Sequence, residues 1–251
     1  VTNLAPNHLD IHKDMEEYVT AKKNIFRFQS LADRLILNAD NAITAGFRGN
    51  GETRFFSRQK QTDGAWVQDG VLYRNGEKVL ETKAILAVEG LVSDDTVRRT
   101  AATFGGVEHR IELVRVKDCV RYYNDSIASS PSRTIAGLRS FPEKVLLIAG
   151  GYDKHIPYDV LGPEICRHVK ALYVNGATAG LIREAVEQAE NYAPGAPEIY
   201  DCGDFTAAVQ AAVRDAKAGD VVLMSPASAA FDQFKNFMVR GQYFKKLIME
   251  L

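Results

Sequence analysis

Five apolar residues in succession, Val145-Leu146-Leu147-Ile148-Ala149, stand between Lys144 and the pair Gly150-Gly151. A run this short, rich in leucine and β-branched residues and bounded by charge and glycine, is the pattern of a strand buried on both faces, as in a parallel sheet. The glycine pair permits a sharp turn and lets main-chain N–H groups approach whatever lies there. Lys154 follows just past the strand's carboxyl end, the edge of an open α/β sheet where ligands sit. A lysine at that edge suits an anion, although an ordinary βα turn with a solvated lysine would read the same. A parallel strand also needs long crossover connections, so this segment commits its surroundings to alternating strands and helices.

The chain after Glu108 shows that alternation. Strands are expected at 111–116, 120–124, 145–149, 171–174, 198–200 and 221–224, and helices at 132–138, 161–168, 179–189, 205–217 and 231–248. In the third of these helices Leu181, Ile182, Ala185 and Ala189 should face inward, with Arg183, Glu184 and Glu187 outward. Asp232 should cap or open the last helix. The fold class is α/β with a mostly parallel sheet in this half. A boundary near Gly105–Glu108 divides the chain into domains 1–107 and 108–251.

The first half is less regular. Val1–Asn3 resembles the end of a strand, and a loop carrying His8, Asp10 and His12 follows. Asp14 is a good N-cap, with Glu16 and Glu17 in the first turn of a helix over 15–26. Tyr18, Ala21, Ile25 and Phe26 form its apolar face, and Lys22 reads as a solvated helix lysine. A strand at 34–38 precedes a turn or cap at 38–41. From Thr53 to Leu80, short alternating pieces are separated by Asp63-Gly64, Asp69-Gly70 and Asn75-Gly76, which are hairpin signals. They predict a small antiparallel meander without chemistry, in which Trp66 is a packing residue. A helix from Ser93 should turn Val97, Thr100, Ala101 and Phe104 inward and stop at Gly105-Gly106.

Bulk properties exclude several function classes. A net charge of −1 over 251 residues offers nothing to nucleic acid or an anionic membrane. No apolar run approaches the ~20 residues of a membrane helix. Cys119, Cys166 and Cys202 are widely spaced and fit buried thiols in a reducing compartment. The beginning, VTNLAPNHLD, is neither a signal peptide nor a capped domain start, so the chain is expected to begin inside something longer. There is no GxxxxGK[ST] loop. If the protein handles ATP, its main phosphate loop is expected outside this chain.

Chemistry-bearing residues gather at the expected strand ends. Asp125 directly follows a strand and could reach a ribose or a phosphate-bound metal. Ser126, Ser129, Ser130 and Ser132 offer hydroxyls and helix-start N–H groups to an oxyanion, or an N-cap to the helix that Pro131 opens. Arg133 in that helix's first turn needs a partner, Asp125 or a bound anion. Ser225-Pro226-Ala227 allows close backbone approach, and Glu108-His109-Arg110 lies at the domain junction. His8, Asp10 and His12 have metal-ligand chemistry, but two histidines in one short loop specify little.

Taken in order, TNLAPNHLDIH, YVTAKKNIF, TFGGVEHR, YNDS, LIAGGYDK and above all SPASAAFDQFKNFMVRG resemble the motifs of the Mur ligases, over nearly the whole chain. The likeness is to the branch that adds D-glutamate to UDP-N-acetylmuramoyl-L-alanine. It implies part of a central ATPase domain over 1–107 and a Rossmann-like C-terminal domain over 108–251. It also implies a cytoplasmic, monomeric enzyme of peptidoglycan synthesis using ATP and Mg2+. In that reaction ATP phosphorylates the substrate carboxylate, the amine of D-glutamate attacks, and phosphate leaves.

By resemblance His8 is a magnesium-site histidine, and Lys22 is a lysine carried as a carbamate that supports the metal. Arg110, Asp125 and Ser129 lie on the nucleotide side; Lys154, Phe231 and Phe237 surround D-glutamate. Three departures stand out. Ile127 replaces a lysine, a loss that Arg133 would have to make good, and Ala230 replaces a serine that would bond the D-glutamate carboxylate. The GxHNxxN segment is missing between Lys83 and Val88. With the phosphate loop also missing, this chain alone is expected not to turn over. The alternatives are a sibling Mur ligase or folylpolyglutamate synthase-like ligase, and a non-catalytic binding module of the same fold.

Overall fold

A computed structural model describes residues 1–7, 9–69, 71–81 and 94–251. The backbone divides into two compact units. One comprises Val1–Ala5 and His12–Gly105, and the other Pro6–Ile11 and Gly106–Leu251.

In the first unit, α1 (Met15–Arg27) starts where the Asp14 side chain accepts from Glu17 N at 2.9 Å. Strand β1 (Arg34–Asn38) follows, then α2 (Ala42–Ala45), capped by Asn41. Next come β2 (Glu52–Ser57), β3 (Ala65–Gln68), β4 (Val71–Arg74), β5 (Glu77–Glu81) and α3 (Asp94–Thr103). The sheet runs β1-β2-β3-β4-β5. Leu4, Tyr18, Phe26, Leu35, Leu37 and Phe47 form its main core.

Several expectations are corrected here. Val1–Asn3 is not a strand; the Val1 nitrogen donates to Ile36 O at 2.9 Å beside β1. Strands β2 and β3 pair in parallel, so Asp63-Gly64 is no hairpin turn. Asp63 instead accepts from Phe55 N through its side chain, bracing a wider connection. The meander holds only for β3, β4 and β5, which pair antiparallel. Asn75-Gly76 makes the last of its turns with positive φ at both residues (50° and 88°), as a primed hairpin turn requires. Trp66 is buried and stacks on Tyr73, with centroids 5.4 Å apart. Ala21 and Ile25 are exposed, so only Tyr18 and Phe26 of the α1 stripe are buried. Thr100 and Phe104 are also exposed. The side chains of Val97 and Ala101, and the Lys83–Val88 junction, lie outside the described residues.

In the second unit the order is β6 (Glu112–Lys117), β7 (Val120–Asn124), α4 (Pro131–Leu138), β8 (Val145–Gly150), α5 (Gly162–His168) and β9 (Val169–Asn175). Helix α6 (Ala179–Glu187), β10 (Glu198–Asp201), α7 (Phe205–Asp215), β11 (Val221–Met224) and α8 (Phe237–Met249) complete it. The sheet runs β10-β9-β8-β11-β7-β6; all its pairs are parallel except β6 with β7.

Alternation along the strands sorts side chains to two faces. Val145, Leu147 and Ala149 of β8 pack with Leu172, Leu223, Leu138, Ile165 and Ile182, under α4, α5 and α6. Leu146 and Ile148 pack with Tyr173, Met224, Phe205, Val209 and Phe244, under α7 and α8. Helices therefore cover both faces, and every residue of β8 is buried, as a continuous apolar run requires.

Leu181 is exposed, because the α6 stripe centres on Ile182, Ala185 and Val186. The last helix begins at Phe237 rather than Phe231. Asn236 caps it by accepting from Val239 N at 3.0 Å, and Asp232 does not; its carboxylate accepts from Ala177 N at 3.3 Å.

Candidate functional site

Strands β7, β8 and β11 are neighbours in the sheet, and their carboxyl ends carry three loops of small and polar residues. Gly150 (φ 122°) and Gly151 (φ 144°) thread the β8 tip between the other loops. A Cβ on Gly150 would stand 1.9 Å from Asn175 O, and one on Gly151 2.2 Å from Ala229 O. No other residue type fits either position. The tip is laced by Gly150 N to Pro226 O at 2.8 Å, Tyr152 N to Ala229 O at 2.9 Å and Ser225 N to Ile148 O at 3.2 Å.

Lys154 is only 2% exposed. Its ammonium donates to Asn7 Oδ1 at 2.5 Å. Desolvation by burial lowers its pKa to about 8; Asp10 opposes this, while Arg133 and Arg240 add to it. The solvated-lysine reading is thereby overturned: this is a buried cation whose bonded partner is a neutral amide.

Asp125, at the β7 tip, is buried and accepts from Ser225 Oγ at 2.7 Å and from Ile111 N at 3.3 Å. Burial raises its pKa to about 6 against the pull of those bonds and of Arg110 and Arg133. Arg133 and Arg110 are both exposed, and Arg133 acts on Asp125 and Lys154 through space rather than by a bond. Ser126 is buried, its hydroxyl donating to Phe237 O at 2.7 Å. Ser130 occupies the N-cap position of α4 without a side-chain capping bond, its hydroxyl meeting Ser132 Oγ at 3.5 Å instead, and Ser129 is half-buried.

Two family descriptions match this chain. Residues 1–90 match the Mur ligase middle domain, and residues 109–228 the glutamate ligase domain of the Mur ligases. The chain belongs to the Mur ligase family. Among its relatives, a UDP-N-acetylmuramoylalanine–D-glutamate ligase of Acetivibrio thermocellus is 50% identical over 272 residues, covering 99% of this chain and 58% of that protein. One of Clostridium botulinum is 44% identical over 268 residues, covering 100% of this chain and 58% of that protein. The chain thus spans somewhat more than half the length of these curated relatives. Among solved structures, E. coli FolC in complex with DHPP and ADP superposes with a TM-score of 0.65 at 18% identity, covering 100% of this chain and 61% of that one. A pseudomurein peptide ligase type C from Methanothermus fervidus superposes with a TM-score of 0.64 at 16% identity, covering 99% of this chain and 62% of that one. Both likenesses concern the fold.

Within this Mur ligase fold, Lys154 and Asp125 lie past the tips of β8 and β7, the two strands that flank β11. Phe231 is exposed and meets Tyr152 edge to face, with centroids 5.8 Å apart; Phe237 opens α8 and meets His109 edge to face at 5.9 Å. Ala230 is buried, and Ile127 N bonds His109 O at 3.2 Å. Lys22 belongs to the first unit, exposed on α1 with Nζ 5.2 Å from the centre of the Tyr18 ring. His8 lies outside the described residues. Glu108, His109 and Glu112 bring donor atoms together, but the Lys245 ammonium binds both carboxylates, at 3.1 Å and 2.6 Å, so the cluster is already charge-paired.

Sequence reasoning missed Arg240, which is 1% exposed in α8, and Asn7, the partner of Lys154. A signal for Arg240 exists. It falls at helical spacing on the stripe of Phe237, Phe244 and Ile248, where an apolar residue is expected. No local pattern marks Asn7.

Proposed function

We propose that the protein carrying this chain is an ATP-dependent, amide-forming ligase that adds D-glutamate to UDP-N-acetylmuramoyl-L-alanine in peptidoglycan synthesis in the cytoplasm. On this reading residues 1–107 belong to the central ATPase domain and 108–251 to the Rossmann-like C-terminal domain. The matched middle and glutamate ligase domains support that division. The relatives that are 44–50% identical to this chain over the aligned residues support the choice of amino acid.

The observation that carries the reading is a buried Lys154 at the β8 tip whose bonded partner is an amide. A desolvated ammonium without a bonded carboxylate is an incomplete ion pair, and a carboxylate of a small acidic amino acid completes it. Phe231 and Phe237 flank that amino acid. Arg110, Asp125 and Ser129 face the nucleotide. The chain's work is then to orient the amine toward the activated carboxyl group and to balance negative charge. Carbamate oxygens on Lys22 would suit a hard divalent cation, proposed as Mg2+, which would supply charge neutralisation at the phosphates; the His8 imidazole, a borderline donor, is proposed as a further ligand by the resemblance alone.

The test is Lys154→Ala in the full-length gene product. KM for D-glutamate should rise more than tenfold with ATP binding unchanged. Equal loss of both would count against the assignment, and use of L-lysine, diaminopimelate or folate in preference to D-glutamate would replace it with a sibling ligase.

A further inference from the structure

Arg240 is a buried cation whose bonds all go to neutral acceptors. Its Nε donates to Ser126 Oγ at 3.1 Å, Nη2 to Ser126 O at 3.0 Å and Ser228 O at 3.1 Å, and Nη1 to Ala229 O at 3.0 Å. Burial lowers its pKa to about 9, and the charge acting in the opposite sense is Asp232, which is exposed. A guanidinium presents its donors in a rigid fork that lysine cannot reproduce. Removing such a charge from water without an ionic partner is costly. Methionine or leucine would fill the same space in α8 at no such cost, so the charge and the fork are the features to account for.

The acceptors show what the fork does. Ser126 lies in the loop after β7, and Ser228 and Ala229 lie in the loop after β11. Ala229 O also accepts from Tyr152 N, in the loop after β8. Ser126 Oγ donates onward to Phe237 O, closing the network on the first residue of α8. Three adjacent strand tips are thus tied through one side chain. Gly151 packs against the same group: a Cβ there would stand 3.1 Å from Arg240 Nη1. Lys154 follows three residues later in that loop, and the charges acting on it through space are Asp10, Arg133 and Arg240.

We infer that Arg240 is the positioning residue of an anion site: its fork locks the loops after β7, β8 and β11 so that Lys154 is held buried where a carboxylate binds, and its unpaired charge strengthens the field there. The identity of the ligand, an acidic amino acid, rests on the function proposed above; the coupling of Arg240 to Lys154 does not.

The experiment compares Arg240→Lys, which keeps the charge and breaks the fork, with Arg240→Met, which loses both. Circular dichroism checks folding, and NMR of ε-labelled lysine follows the Lys154 titration. D-Glutamate is the titrated probe. Arg240→Lys should bind D-glutamate at least tenfold more weakly while Lys154 titrates near its wild-type pH. In Arg240→Met the loss should be larger, with the Lys154 midpoint moved upward. Folded variants with wild-type affinity and an unchanged midpoint would overturn the inference. If Arg240→Met does not fold, Arg240→Lys decides: a tenfold loss supports the inference and wild-type affinity overturns it. If the wild-type protein does not bind D-glutamate, the ligand reading fails by itself. The Lys154 midpoint in Arg240→Met then decides, or, should that variant not fold, the backbone amide shifts of 125–127, 151–154 and 228–230 in Arg240→Lys. A raised midpoint or displaced shifts support the clamp, and neither change overturns it.

Discussion

Asp125→Asn isolates one buried charge. Asp125 is 4% exposed, and burial raises its carboxyl from an ordinary 3.8 to about 6. A raised folded-state pKa means that the folded protein binds more protons than the unfolded chain between those two values. The stabilisation is therefore complete below about 3.8 and is lost as the pH rises through about 6. At 1.36 kcal/mol per unit, a difference of roughly 2 units amounts to about 3 kcal/mol. Asparagine keeps the shape and can still accept from Ser225 Oγ, giving up the longer bond from Ile111 N at a cost that does not vary with pH, and it does not titrate. The stability of Asp125→Asn relative to wild type should rise by about 3 kcal/mol between pH 3.5 and pH 7, other titrations cancelling in the difference. The two units of the chain rule out a single global transition as the assay. Amide exchange of the β7 and β11 peptides, corrected for intrinsic rates at each pH, reads the unit concerned. A difference that stays flat with pH would refute the argument and mean that Asp125 is solvated, and one that falls as the pH rises would mean that it is ion-paired.

The Lys154 ammonium, with its pKa lowered to about 8, should make D-glutamate affinity fall above pH 8, by up to tenfold per unit, in the full-length gene product; calorimetric affinities that stay flat to pH 10 would show an ordinary solvated lysine. Gly151→Ala places a Cβ 2.2 Å from Ala229 O at a φ of 144°. It should cost about 3 kcal/mol or more, read as lost exchange protection in β8 and β11, and wild-type protection would mean that the loop yields. In the full-length gene product Lys22→Ala should abolish turnover, and short carboxylic acids that replace the carbamate should restore part of it; undiminished turnover in the variant would leave Lys22 a surface residue.

Most of the second unit was legible in the sequence. The strand at 120–124, the helix starts at 179 and 205 and the strand at 221–224 coincide with the observed elements. Their apolar periodicity and capping residues, such as Asp204 accepting from Ala207 N, act over a few residues only. The misreadings share a different cause. Asp63-Gly64 has the composition of a tight turn, yet β2 and β3 pair in parallel. Asp232 has N-cap chemistry, yet Asn236 does the capping while Asp232 turns to the segment after β9. In both cases contacts with distant segments outweighed a local preference.

The order of elements, the parallel sheet and the placing of Asp125 and Lys154 at strand ends were determined by the amino-acid sequence alone, because backbone geometry, side-chain alternation and glycine freedom are local properties. Only the tertiary structure decided that Lys154 is desolvated, that its amide partner comes from Asn7, 147 residues away, and that Arg240 spends its charge on four neutral oxygens of Ser126, Ser228 and Ala229. Desolvation and pairing depend on which remote segments close over a side chain, and no window of neighbouring residues contains that information.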